Sequence, residues 1–172
     1  MMSFPVFRHT GPWNEISRQD RGLHFVESYA TEITSDLTLP YSSTKFFSPS
    51  CTFYDATDVT YKGAGDIKSW MQRLFSPFDK LEFAVISCLS INESDPRDKK
   101  PKYTVIGEFL GKHWFKGDPE PILAPRVMIF NIDVSETEDG FDGLQYSSVR
   151  LYWNASLVRD ERMRRAQTKD KA

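Results

Sequence analysis

The sequence predicts an α+β protein in which helices come first and a meander of strands follows, packed as one helix-plus-curved-sheet domain with a pocket between the layers. Two stretches and their order carry that prediction. Residues 46–75, FFSPSCTFYDATDVTYKGAGDIKSWMQRLF, run from aromatic-rich strand pieces through a glycine turn into an amphipathic helix. Residues 149–158, VRLYWNASLV, alternate as a strand far downstream.

Residues 1–19 carry Pro5, Gly11 and Pro12 and read as an extended arm, in which Phe4, Phe7 and Trp13 supply aromatic surface and His9 faces solvent. Asp20 can cap a helix over 20–35, where Leu23, Val26, Tyr29, Ala30 and Ile33 recur at helical spacing. Leu39-Pro40 closes that stretch, because the residue before a proline is pushed out of the helical region. Between Cys51 and Tyr61 the aromatic and β-branched residues predict two short strands hinged at residues 55–58. Gly63 and Gly65 supply a turn; a helix then starts at Gly65 or Asp66, aligns Ile67, Trp70, Met71, Leu74 and Phe75 on one face, and stops before Pro77.

Four longer strands follow. Residues 80–91 alternate, with Leu81, Phe83, Val85, Ser87, Leu89 and Ile91 expected on one face. A charged hairpin loop over 92–102 leads to a strand over 103–115, where Gly107 and Gly111 mark bulge or bend positions. Residues 116–125, with three prolines, read as a loop, 126–134 as a strand and 135–143 as an acidic loop. The last strand is expected over 145–158. It would place Val149, Leu151, Trp153 and Ala155 on an apolar face and Arg150, Tyr152, Asn154 and Ser156 on a polar one. The domain is thus expected over 20–159, with a charged tail over 160–172.

The composition fits a single domain of 172 residues, long enough to build a core without disulfides. A hydrophobic fraction of 40% excludes a disordered chain, and the 14% aromatic content can fill a core or line a pocket for apolar ligands. A net charge of −2 gives no general attraction to nucleic acid or anionic membrane. The basic residues of the tail, from Arg159 to Lys171, alternate with acids and read as a solvated, frayed helix end. Cys51 and Cys88 have no metal-binding or redox spacing and read as reduced core thiols. No apolar run approaches a membrane span, and the N-terminus lacks the pattern of a secretory signal, so the expectation is an intracellular, cytoplasmic protein.

With the elements in this order, the chain resembles the nuclear-transport-factor-two-like superfamily and, within it, the SnoaL-like group of polyketide cyclase relatives. The resemblance rests on the aromatic-Tyr54-Asp55 run, the Tyr61-Lys62-Gly63 turn, the helix bearing Trp70, and the terminal aromatic pair Tyr152-Trp153. It implies a cone: a strongly bent antiparallel sheet wrapped around the N-terminal helices and open at one end into an apolar pocket, the cystatin-like α+β barrel. It also implies cofactor-independent acid/base chemistry on a hydrophobic small molecule, and a homodimer formed through the outer sheet face. Enzymes of the group often carry an acid after the aromatic pair of the last strand, where this chain has Asn154. An amide can orient an oxygen but cannot take a proton near neutral pH.

The candidate chemistry follows from residue type and placement. Asp55, beside Tyr54 and near Tyr61, can act as a base if the cavity desolvates it, or it can simply cap its turn. His113 shares a face with Val105, Phe109 and Phe115 and is the second acid/base candidate; His24 borders the stripe of the first helix. Arg126, in phase with Met128, can hold a carboxylate or enolate, or can form a surface ion pair. Tyr54, Tyr61, Tyr152 and Asn154 are candidates to hydrogen-bond the substrate, while Trp70 and Met128 line the core or the cavity mouth. Three scattered histidines give no metal site, and no phosphate-binding loop, nucleophile elbow or HExxH pair is present.

The leading expectation is a cofactor-independent cyclase, isomerase or dehydratase acting on a polyketide- or terpenoid-like substrate, with Asp55 or His113 moving the proton. The alternative is a non-catalytic module of the same fold that binds a ligand or a protein.

Overall fold

A computed structural model describes residues 4–95, 97 and 100–169. Pro96, Asp98 and Lys99 of the charged loop, and Asp170 and Lys171 of the tail, lie outside the described residues. The elements are β1 (Val6–Thr10), α1 (Arg21–Ser35), β2 (Phe47–Tyr54), β3 (Thr60–Lys62), α2 (Ala64–Phe75), β4 (Phe78–Asn92), β5 (Tyr103–Phe115), β6 (Ile122–Val134), β7 (Leu144–Trp153) and α3 (Ala155–Lys169). The strands form one curled, unclosed sheet in the order β1-β4-β5-β6-β7-β2-β3, antiparallel throughout except where β2 runs parallel to β7. The chain is therefore α+β, as its element order predicts.

The helices lie against the inner face of this sheet. The Asp20 side chain accepts from the Leu23 amide at 2.8 Å and so satisfies one of the orphan donors that start α1. Leu23, Phe25, Val26, Tyr29 and Ile33 are all buried. Fully burying a side chain of this size contributes about 1.5–3 kcal/mol. Helix α2 starts at Gly63, whose φ of 84° suits a residue without a Cβ, and it buries Ile67, Trp70, Met71 and Phe75. Cys51 and Cys88 are both buried and free, and burial pushes each thiol up to about 12.

Bulges bend the sheet and change one expected face. In β4, Val85 pairs with Phe109 and Ser87 with Glu108, so Ile86 is an extra residue. Beyond it the phase flips: Cys88 and Ser90 turn inward in place of the expected Ser87, Leu89 and Ile91. Alternation alone cannot show such a slip, because Val85, Leu89 and Ile91 stay in one apolar phase and the extra residue is itself apolar. A second extra residue, Asp79, lies near the start of β4, and Ser147 interrupts the β6–β7 ladder.

Three further expectations need correction. The loop expected over 116–125 gives way to strand at Ile122, and Pro125 lies within β6, paired with Leu110 of β5. Proline is tolerated there because the β6–β7 ladder ends at Arg126–Trp153, leaving β6 with one strand partner at that point. The last strand ends at Trp153 rather than at residue 158, and Ala155–Lys169 is a helix. His9 is not solvent-facing. Val6–Thr10 pairs with β4, and His9, only 6% exposed, stacks on Trp13 with ring centroids 5.7 Å apart and shares a hydrogen bond with the Pro12 carbonyl.

Candidate functional site

Inside the curl lies a cavity of about 50 Å³. Helix α1 contributes Val26, Tyr29, Ala30 and Ile33, and α2 contributes Trp70, Met71, Leu74 and Phe75. The sheet supplies Phe53, Phe83, Phe109, Met128, Phe130 and Leu151, together with Arg126. Of these lining residues, Ala30, Leu74, Phe83 and Met128 are only partly buried. Among the described residues that line it, Arg126 is the one charged group and Tyr29 the one hydroxyl.

Arg126 is held by its neighbours on the inner sheet face. Its guanidinium carbon lies 4.7 Å from the Phe83 ring centroid and 4.8 Å from that of Trp153. Nη2 donates to Nε2 of His113 at 2.7 Å, and Nδ1 of His113 lies 3.2 Å from the Ile122 carbonyl oxygen. These contacts assign the tautomer: Nδ1–H donates to the carbonyl and the bare Nε2 accepts from arginine. Gly111 makes room for the pair, since a Cβ there would lie 2.6 Å from Arg126 Nη2 and 2.8 Å from His113 Cε1.

The electrostatics follow from burial. His113 is 3% exposed; desolvation, then the adjacent guanidinium, push its pKa from about 6.5 down to about 4, against a smaller opposing effect of the Ile122 carbonyl. It is neutral at pH 7. Burial also lowers Arg126 to about 10, which leaves it cationic. Among the described residues no carboxylate pairs with Arg126, and its Nε has no hydrogen-bond partner. Among the described residues the Tyr29 hydroxyl has only the Met71 thioether at 3.7 Å, a weak acceptor, and burial pushes its phenol well above the usual range, so it remains a donor.

The sequence-predicted site residues divide among several places. Arg126, Trp70 and Met128 line the cavity, His113 braces Arg126 from behind, and Tyr61 stacks on Trp70 with centroids 4.7 Å apart. Tyr54, Asp55 and Tyr152 instead line a separate surface depression with Arg150, whose guanidinium lies 4.0 Å over the Tyr54 ring. Asp55 accepts from the Ala56 amide at 2.7 Å and from the Thr57 hydroxyl at 2.9 Å, so it organises its own turn. Tyr152 is 52% exposed: the apolar face of β7 points inward and the polar one outward, the reverse of the orientation that would bring Tyr152 or Asn154 to the pocket. Asn154 is exposed and caps α3, accepting from the Ser156 amide at 3.1 Å. His24 packs near Phe141, away from the cavity lining.

Tyr29 is the cavity-lining hydroxyl that sequence reasoning left within the helix stripe. A hydroxyl on an otherwise apolar stripe was the available signal, since a buried phenol needs a partner.

The fold has counterparts among solved structures. Nuclear transport factor 2 of Cryptosporidium parvum superposes with a TM-score of 0.55 at 16% identity, covering 83% of this chain and 98% of its own. The Kfla4162 protein of Kribbella flavida gives 0.57 at 19% identity, covering 83% and 99%. ActVI-ORFA of Streptomyces coelicolor gives 0.57 at 11% identity, covering 77% and 94%. No protein-family model and no curated protein matches the sequence. The chain has the nuclear-transport-factor-two-like cone fold, which its neighbours share at low identity. Among the described residues, no helix is long and apolar enough to cross a membrane.

Proposed function

We propose that this protein binds a small, largely apolar molecule in the cavity between α1, α2 and the inner sheet face. The observation that carries the reading is the lining itself. The cavity is lined almost wholly by aliphatic and aromatic side chains, with one cation and one hydroxyl among them, which is the usual make-up of a small-molecule site.

A binding role fits this lining better than proton transfer does. A cyclase, isomerase or dehydratase acting on a polyketide- or terpenoid-like substrate needs a group that takes a proton inside the cavity. The described lining residues include no carboxylate and no histidine, both nitrogens of His113 are engaged, and Asp55 belongs to the outer depression. The catalytic version therefore rests on Arg126 and Tyr29 as stabilisers of a developing oxyanion, and its observable is turnover that survives removal of Asp55.

The test is to fill the cavity from its lining. Ala30→Trp is expected to abolish binding of small apolar ligands, read by calorimetric titration, while the circular dichroism spectrum stays that of the wild type. Binding that persists in this variant places the ligand elsewhere.

The outer sheet face carries exposed Ile86, Ile106, Leu123, Val127 and Tyr152. These residues support a homodimer formed across that face, as the resemblance implies.

A further inference from the structure

Arg126 is out of place energetically. It is 8% exposed and has no counter-ion among the described residues, although burying an unpaired ionised group is costly even after the protein relaxes. Its two ring contacts offset only part of that cost. The hydrogen bond to His113 satisfies one N–H but supplies no negative charge, because His113 is neutral. Its Nε remains without a partner on the side chain that lines the cavity. Tyr29 lines the same cavity with a hydroxyl whose one partner is a thioether.

We infer that the ligand of this cavity is a small monocarboxylate with an apolar body, its carboxylate accepting hydrogen bonds from Arg126 and from the Tyr29 hydroxyl. This rests on the binding function proposed above and names the ligand class. One cation calls for one negative charge, so a phosphate or sulfate dianion would leave charge uncompensated in an apolar surround. A neutral carbonyl would make the hydrogen bonds but leave the guanidinium unpaired, whereas a carboxylate gains bonds roughly twice as strong. At about 50 Å³ the cavity is small, so short branched and single-ring acids are the ligands to test first.

His113 becomes a positioning residue in this arrangement. By accepting from Nη2 it fixes the rotation of the guanidinium while the rings of Phe83 and Trp153 fix its plane. The ligand then meets a preorganised donor rather than a mobile side chain.

The experiment compares matched acids and amides by isothermal titration at pH 7: butyrate, isovalerate and benzoate against butyramide, isovaleramide and benzamide. In the wild type at least one acid is expected to bind about tenfold or more tightly than its amide, the margin of one charge-assisted bond. Arg126→Met is expected to remove that margin by weakening the acid far more than the amide, and Tyr29→Phe to reduce it. Equal binding of acid and amide by the wild type overturns the carboxylate and leaves cavity binding standing. Failure of every compound to bind overturns both. Should Arg126→Met fail to fold, the wild-type comparison with Tyr29→Phe still decides.

Discussion

His113 stays unprotonated well below its ordinary pKa, because a second positive charge beside Arg126 in a buried site is too costly. The consequence for stability has a definite sign. Its folded pKa of about 4 lies below the unfolded value near 6.5, so between those values the unfolded chain binds more protons. Stability is full above about pH 6.5 and falls as the pH drops towards 4. Between pH 7.5 and 5 the loss from this one group is roughly 2 kcal/mol. Urea titrations at the two pH values are expected to show wild type losing that much more than His113→Gln, where the amide can still accept from Arg126. Equal losses in the two proteins would mean that His113 is not buried as a neutral base.

The same residue shows what sequence can convey at this scale. Alternation from Val105 through Phe109 to Phe115 correctly set its face, and the phase with Met128 set that of Arg126. Nothing in the sequence says that the two side chains bond each other, since thirteen residues and a loop separate them. Tyr29 was hidden for a different reason. Its spacing fits the apolar stripe of α1, and only the structure shows that its hydroxyl finds nothing better than a thioether.

At the scale of elements, β5 is built around two inward glycines. A Cβ at Gly107 would fall 2.4 Å from the Phe109 ring, and one at Gly111 would strike the Arg126–His113 pair. In an ordinary strand, alanine in place of glycine stabilises slightly. Here Gly111→Ala is expected to cost about 1–3 kcal/mol by overpacking and to weaken ligand binding along with stability. Thermal denaturation checks the sign, and an unchanged or raised Tm would show that the pair has slack.

Helix α3 gives the complementary case. Asn154→Ala is expected to cost about 1 kcal/mol by removing the cap, and to leave ligand affinity unchanged, because Asn154 is exposed. Loss of binding in that variant would return Asn154 to the site. The run WNASLV continues the apolar–polar alternation of β7, so the strand-to-helix switch left no mark in periodicity; only the Asn-x-Ser pattern hinted at a cap. The early elements were legible because Asp20, Gly63 and Pro77 punctuate their helices chemically.

For the whole molecule, the sheet has two faces and only its curvature decides which is interior. That is why the class and element order could be read while the candidate residues split between the inner cavity and the outer depression. Tyr54, Asp55 and Tyr152 have pocket-like chemistry but sit on the convex side or at its edge. The exposed apolar residues of that convex side, Ile106 and Val127 among them, predict self-association. Size exclusion with light scattering is expected to give twice the 19.9 kDa chain mass, and Ile106→Lys with Val127→Lys to return it to 19.9 kDa. A wild-type mass of 19.9 kDa would remove the dimer from the account.

On the proposed function the inner cavity, and not the outer depression, receives the ligand. The five methionines report on it directly. Met71 and Met128 line the cavity, whereas Met163 is exposed on α3. With ¹³C-methyl methionine, titration of isovalerate or benzoate is predicted to shift the Met71 and Met128 signals together and leave Met163 in place. Saturable binding that moves neither Met71 nor Met128 would place the ligand outside the inner cavity.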